Sequence, residues 1–310
     1  MIPDCLCIGT AVMLAPLQSG LGAVIQGVYS GLSYGMILVM TAAGLSLVFG
    51  LMGVINFAHG ELYAIGAYSG FVLFGITGSF PVAIVAAIIG GIAIGSVLEI
   101  GVIRPLYDRD PIYQLPATFG VAIVMIEGIK FVLGSDSKPF PIPNYLSGTF
   151  TVGSYSFGLY RLFLIVSGVI LVGLLWVFLQ RSKYGLIIRA AIFDTEMVQS
   201  MGYNVSRTYT FIFALGAAYA AIAGVLIAPL FGLFPGMGHQ IIIITFIVVV
   251  VGGLGSFKGV IASGLLIGLA QSFGRIYVPS LSEALPFLLM IAIILYRPQG
   301  LFGVEGVFTE

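Results

Sequence analysis

The sequence predicts an all-α, polytopic membrane protein with about eight to ten transmembrane or re-entrant helices. Of its 310 residues, 59% are hydrophobic and only 8% are charged, whereas a soluble domain averages about 25% charged residues. Apolar runs of membrane-spanning length recur along the chain. The 43 glycines are about twice the usual share, which in a membrane favours closely packed and interrupted helices. The formal net charge of zero gives no reason to expect a nucleic-acid partner.

The apolar segments form a single membrane domain over residues 1–310. We expect residues 1–20 to be an interfacial lead-in, because their apolar part is too short to cross a bilayer. Several later segments also fall short of the roughly 20 residues that a crossing needs, so some of them are candidates for re-entrant or half helices. The predicted spans are residues 22–49, 62–76, 80–103, 115–133, 160–179, 209–228, 241–252, 260–272 and 285–296.

A polar segment, residues 181–207, interrupts this pattern with six charged side chains. Its centre predicts a short helix outside the membrane. Asp194 is a suitable N-cap, and Glu196 places a second acid in the first turn, where the helix dipole favours it. Gly202 is a suitable C-terminal stop.

Two methionines give this short helix a distinct face. Met197 and Met201 lie four residues apart and therefore share one side of the helix. Because methionine side chains adapt to irregular surfaces, this face suits a groove on another protein. The alternative is a solvated helix that only joins two spans.

The lysines and arginines predict the orientation in the membrane. With residues 181–207 in the cytoplasm, eight of these side chains lie inside and four outside. The N-terminus is then outside and the C-terminus inside. The two halves enter the membrane from opposite sides, each with a long span followed by a Gly-rich break, which is the layout of an inverted repeat.

The glycine-punctuated stretch GVINFAHGE holds the strongest candidate site. Asn56, His59 and Glu61 lie between two apolar spans, and polar groups at membrane depth usually face a cavity or pathway. Gly53 and Gly60 could let the backbone unwind, and we expect Gly60 to provide a bend with positive φ. Asn56, His59, Gly60 and Glu61 are therefore predicted to line a solute pathway. The alternative places this break at the interface, where His59 and Glu61 meet water.

The chain lacks the patterns expected of an enzyme or of a metal or cofactor site. His59 is not expected to bind a metal, because the other histidine, His239, has no cysteine or carboxylate nearby in the sequence. Ser256 has no neighbouring base to activate it. The stretch GGLGSFKG lacks the ending of a phosphate-binding loop, so any ATP must bind to a separate subunit. The small residues that follow it predict a helix-packing face: Gly259, Ser263, Gly264 and Gly268.

The segment GLMGVINFAHGELYAIGAY resembles the signature of the branched-chain amino acid permease family of ABC importers, the LivH-like proteins. Further segments resemble the same family: IRPLYDRDP, RAAIFDTEMVQSMGYN, VVVGGLGSFKGVIASG and RPQGLFG. Together they extend over residues 31–303. The resemblance implies an all-helical permease of the inner membrane that pairs with a second, related permease. It also implies two cytoplasmic ATPase subunits and a periplasmic or extracellular solute-binding protein.

By this resemblance, the helix in residues 181–207 is the coupling segment that contacts an ATPase, with Arg189, Asp194, Glu196, Met197, Met201 and Gly202. The implied solute is a branched-chain or other neutral amino acid, with urea or a short amide as the alternative. A secondary transporter or channel is the alternative of a different class. It would need intramembrane acids or bases on several helices, and the candidates are Glu61, Glu99 and Glu127.

Overall fold

The computed structural model describes residues 7–107, 109–153 and 155–303. Within those ranges the chain forms eleven α-helices and one two-stranded sheet. Helix α3 continues into a π-helical turn, Glu99–Ile103, and a 3-10 turn, Arg104–Leu106. The α-helices are α1 (Cys7–Met52), α2 (His59–Thr77), α3 (Phe80–Leu98), α4 (Gln114–Leu133), α5 (Leu159–Arg181), α6 (Lys183–Phe193), α7 (Thr195–Ser200), α8 (Val205–Phe231), α9 (Met237–Gly252), α10 (Phe257–Tyr277) and α11 (Leu285–Tyr296).

The helix lengths confirm the predicted class. Among the described residues, six helices are long and apolar enough to cross a membrane: α1, α3, α4, α5, α8 and α10. Helix α2 has 19 residues, and the apolar helices α9 and α11 are shorter, at 16 and 12 residues. At about 1.5 Å per residue, α9 and α11 fall short of a bilayer core of about 30 Å. These nine helices lie within the predicted range of eight to ten.

The helix contacts follow the pattern of an internal repeat. Helix α1 packs along α10, and α8 packs along α3. Helix α2 lies between α3 and α8, and α9 correspondingly lies between α10 and α1. If α1, α2 and α3 are matched with α8, α9 and α10 in that order, each of these contacts in one half has a counterpart in the other. This is the arrangement that a repeated unit requires.

Small residues allow these helices to approach closely. A β-carbon on Gly44 of α1 would lie 2.5 Å from the carbonyl oxygen of Gly216 of α8. In α10, a β-carbon on Gly264 would lie 2.6 Å from a methyl group of Val39. Ser263 is fully buried and donates its hydroxyl to the carbonyl of Val248, 2.7 Å away. The predicted small-residue face of α10 is therefore confirmed as a packing surface.

The central and peripheral helices differ in burial. In their most apolar stretches, α8 is 89% buried and α1 is 78% buried, whereas α4 is 17% buried and α5 is 22% buried. Helices α3, α4 and α5 therefore present apolar side chains outward. This places α1 and α8 at the centre of the bundle.

The loop between α4 and α5 contains a short β-hairpin and pairs with a distant segment. Strands β1 (Thr149–Val152) and β2 (Tyr155–Gly158) pair antiparallel within it. Lys138 and Leu233 exchange backbone hydrogen bonds of 2.8 and 2.9 Å. The loop is thus attached to the segment that follows α8.

Two predictions concern the chain ends: an interfacial lead-in at residues 1–20, and an N-terminus outside with a C-terminus inside. Helix α1 is continuous from Cys7, within the stretch predicted as a lead-in. Residues 1–6 and 304–310 lie outside the described residues, as do the predicted positions of the two termini.

Candidate functional site

The predicted break between the first two membrane helices is present at residues 53–58. Helix α1 ends at Met52, and Gly53 follows with a φ of 63°, a left-handed conformation that favours glycine. The side-chain oxygen of Asn56 accepts a hydrogen bond from the backbone nitrogen of Ala58, 3.0 Å away. Asn56 therefore holds the unwound backbone through its side-chain amide.

The predicted role of Gly60 as a bend is wrong. Gly60 lies within α2, and the positive φ occurs at Gly53 instead. Glycine is needed at position 60 for packing, because a β-carbon there would overlap the carbonyl oxygen of Gly238. Gly60 and Gly238 are each the second residue of their helix, so α2 and α9 begin in contact with each other.

The polar side chains of this region are buried inside the bundle. Asn56, His59 and Glu61 have 1%, 0% and 1% of their surfaces exposed. His59 and Glu61 therefore do not meet bulk water in this structure, contrary to the interfacial alternative. His59 donates from Nε2 to the carbonyl oxygen of Thr41, 3.2 Å away. A β-carbon on Gly238 would lie 2.5 Å from Oε2 of Glu61, so Glu61 faces α9.

His59 and Glu61 face different helices, α1 and α9. Among the described residues, no hydrogen bond joins the two side chains, because positions two apart on a helix point to different sides. Within the same part of the chain, Nδ2 of Asn56, Nδ1 of His59 and Oε2 of Glu61 are buried without a hydrogen-bond partner. Unpartnered polar atoms are costly in a membrane interior, so this cluster is a candidate functional site.

Two cavities lie near the contact between α2 and α9. Asn56 lines a cavity of about 10 Å³ among apolar side chains, which is space for at most one water molecule. A larger cavity of about 350 Å³ lies among α1, α2, α8, α9, α10 and α11 and is lined in part by Tyr63, half a turn beyond Glu61. The four predicted pathway residues do not line the larger cavity. Sequence reasoning missed the polar residues that do: Tyr34, Tyr63, Gln240, Gln271, Arg275 and Glu283.

The short helix of the polar segment has the predicted ends. Oδ1 of Asp194 accepts a hydrogen bond from the backbone nitrogen of Met197, 2.8 Å away, and Gly202 follows the helix with a φ of 86°. Asp194, Glu196 and Gly202 are exposed. Helix α6 is not among the predicted helices, although Ser182 is a recognisable N-cap: its hydroxyl accepts from the backbone nitrogen of Gly185 at 2.8 Å.

Neighbouring residues of α7 have different environments. Met197 and Met201 are 60% and 69% exposed, whereas Val198 is 4% exposed. Val198 is buried in a small apolar cluster with Leu51 in the last turn of α1. Arg189 donates to the carbonyl oxygen of Leu179 and therefore attaches α6 to the end of α5. Met197 and Met201 are thus exposed among the described residues, while Val198, beside them on the same helix, anchors α7 to the bundle.

The acids considered for an ion-coupled mechanism have separate environments. Glu99 is fully buried and paired with Arg104, whose Nη2 lies 3.0 Å from Oε2. Tyr107 donates to Oε1 of the same carboxylate at 2.7 Å. Glu127 is an exposed surface residue paired with Lys130 at 2.6 Å. Of the three acids, Glu61 is the one without an ion pair among the described residues.

These features define an all-α polytopic membrane protein with a buried polar site at the break between α1 and α2, packed against α9. A family described as "Branched-chain amino acid transport system / permease component" matches residues 27–294 of the chain. The chain belongs to this family. The predicted LivH-like resemblance is confirmed.

Individual relatives are similar over most of this chain. The chain is 33% identical over 296 residues to the high-affinity branched-chain amino acid transport system permease protein BraD of Pseudomonas aeruginosa, covering 90% of this chain and 95% of that protein. It is 30% identical over 295 residues to LivH of Escherichia coli K12, with the same coverage. It is 28% identical over 292 residues to LivM of the same organism, covering 86% of this chain and 68% of LivM.

The family membership confirms the predicted function class. The chain is a multi-pass permease subunit of the ABC importer type. The alternatives of a urea or short-amide permease and of a secondary transporter or channel are not favoured.

Proposed function

We propose that this chain is the LivH-like subunit of an importer that carries branched-chain or other neutral amino acids across the inner membrane. The relatives named for branched-chain amino acid transport support this solute class. The observation that carries the proposal is the exposed Met197/Met201 face on an anchored helix. A separate ATPase subunit docks on this face, and ATP hydrolysis belongs to that subunit.

The coupling route extends from α7 into the membrane domain. Force on the Met197/Met201 face reaches Val198, which lies beside that face on the same short helix. Val198 shares its apolar cluster with Leu51, one turn or less before Gly53 begins the break. Because packed side chains transmit displacement, movement of α7 shifts the end of α1 and the break that follows it.

The break and its contact with α9 form the gate of the solute route. Asn56, His59 and Glu61 supply polar groups at the inner side of the Gly60–Gly238 contact. The unpartnered Nδ2 of Asn56 and Oε2 of Glu61 support this role, because a passing solute or its water can satisfy them. Movement of α2 away from α9 opens the route.

The importer contains a second permease, two cytoplasmic ATPases and a solute-binding protein on the outer side. Similarity to LivM over 86% of this chain supports a related second permease. In this arrangement α7 and the Arg104 end of α3 face the cytoplasm. The β1–β2 hairpin lies outside, where a binding protein reaches it. The N-terminus lies outside and the C-terminus inside.

Reconstitution tests this function. The permease is purified with its second permease and ATPases, placed in liposomes with the binding protein outside, and supplied with ATP inside. We expect ATP-dependent uptake of radiolabelled L-leucine and no uptake of urea. Uptake of urea but not of leucine contradicts the proposed solute, and uptake of leucine without the ATPases contradicts the proposed coupling.

A further inference from the structure

A second polar cluster surrounds the larger cavity, away from the break. The cavity of about 350 Å³ adjoins another of about 270 Å³, and Tyr34, Gln271 and Arg275 line both. The joint space has the size of a small-molecule site, about 300–1,000 Å³. Both cavities lie at the end of the bundle that carries Arg161 and Arg275, which the lysine and arginine distribution assigns to the outside.

Arg275 is held in position by two aromatic rings. Its guanidinium carbon lies 5.6 Å from the centre of the Tyr34 ring and 5.9 Å from that of Phe231. Contacts of this kind orient the planar guanidinium without using its hydrogen-bond donors. Among the described residues, Arg275 makes no ion pair. Its donors are therefore available to a carboxylate, which they can bind in a bidentate manner.

An unsatisfied acceptor lies one turn from Arg275 on the same helix. Gln271 is 5% exposed, and its Oε1 has no hydrogen-bond partner in the part of the chain that the structure describes. A buried carbonyl oxygen without a donor is unfavourable, so its surroundings must supply one. Glu283 lines the same cavity and is likewise without an ion pair among the described residues. The Gln271 oxygen and the Glu283 carboxylate together favour a positively charged hydrogen-bond donor such as an ammonium group.

The remaining wall is apolar. Ile227, Ile241 and Phe287 line the cavity between these polar groups. One fixed cation, one acid and an unpaired amide oxygen around an apolar wall match a molecule with a carboxylate, an ammonium group and a hydrocarbon side chain. A neutral amide such as urea would leave both charges unpaired.

We propose that this cavity is an outer binding site for the zwitterionic head group of an α-amino acid. Arg275 binds the carboxylate, Gln271 and Glu283 bind the ammonium group, and the apolar wall holds the side chain. The site rests on the proposed function, because it receives the amino acid before the gate opens.

Protection from alkylation tests this site directly. A single cysteine replaces Ile244, which lines the cavity, in a chain whose two native cysteines have been removed. The purified permease complex is treated with N-ethylmaleimide without binding protein and with increasing L-leucine, isoamylamine or 4-methylpentanoate. We expect L-leucine to slow labelling, and the analogues that lack one charged group to require about tenfold higher concentration or more.

Charge-removing variants identify the groups involved. R275Q and E283Q should each raise the L-leucine concentration needed for half protection by about tenfold. The matched controls K130Q and E127Q remove charges from a surface pair outside the cavity. They should leave the L-leucine concentration for half protection unchanged. Equal protection by all three compounds, or no effect of either cavity variant, overturns the site.

Uptake assays separate this inference from the proposed function. If the wild-type complex imports L-leucine while R275Q and E283Q import it equally well and L-leucine gives no protection, the site is wrong and the proposed function stands. If the wild-type complex imports no amino acid, both are wrong.

Discussion

Val198 of α7 and Leu51 in the last turn of α1 are buried in one small apolar cluster, with 4% and 7% of their surfaces exposed. The cluster joins the proposed ATPase-docking helix to the helix that ends at the break. It is therefore a packed connection between the coupling segment and the proposed gate.

Weakening this cluster should uncouple hydrolysis from transport. V198A removes two buried methyl groups, a loss of about 1.5 kcal/mol of apolar burial. We expect ATP hydrolysis to persist while the number of leucine molecules imported per ATP falls. V169A, at a 58% exposed position of α5, is the control and should change neither quantity. An unchanged ratio in V198A contradicts the route through Leu51.

The contact between α2 and α9 should be intolerant of any side chain at Gly60. G60A places a methyl group on the carbonyl oxygen of Gly238 and 2.8 Å from Cβ of Ile242. Overpacking of this kind costs about 1–3 kcal/mol, so the melting temperature of the purified complex and the uptake rate should both fall. G75A is the control, because Gly75 lies in the same helix with open space around its β-carbon position. A fully stable, active G60A contradicts the packing role.

The two carboxylates with ion pairs should respond differently to neutralisation. Glu99 is fully buried and receives hydrogen bonds from Arg104 and Tyr107, whereas Glu127 is exposed with Lys130. E99Q should lower the melting temperature of the complex, because it replaces a fully buried carboxylate that accepts from two side chains by an amide oxygen that is a weaker acceptor. E127Q should leave it almost unchanged. Equal effects of the two changes contradict a structural role for the Glu99 network.

Cysteine accessibility tests the orientation. Single cysteines replace Ser137, in the loop before β1, and Gln199, on α7, both exposed. We expect a membrane-impermeant maleimide to label position 137 in intact cells and position 199 only after the membrane is opened. Labelling of both from outside contradicts the assignment by lysine and arginine distribution.

Much of the helical layout follows from the sequence alone. Apolar run length locates the spans, and the last helix, residues 285–296, has the predicted ends. The cap at Asp194 and the glycine at position 202 were predictable because their local chemistry is specific. Each of these features depends on neighbouring residues in the chain.

The remaining features depend on distant residues. The function of Gly60 is set by Gly238, and the orientation of Arg275 by Tyr34 and Phe231. No local pattern shows that such residues meet. The pairing of Lys138 with Leu233 was missed for the same reason. The burial of His59 and Glu61 depends likewise on the helices packed around α2.

The most direct measurement is the amount of ATPase that co-purifies with affinity-tagged permease carrying M197D and M201D. The two charges would enter an apolar groove on the ATPase. Burying an unpaired polar group costs about 2 kcal/mol or more, so together they should weaken binding by several kcal/mol. We predict that the ATPase is lost while the variant still inserts in the membrane, and that the single control Q199D retains it. Full retention of the ATPase with normal leucine uptake by M197D/M201D would contradict the account.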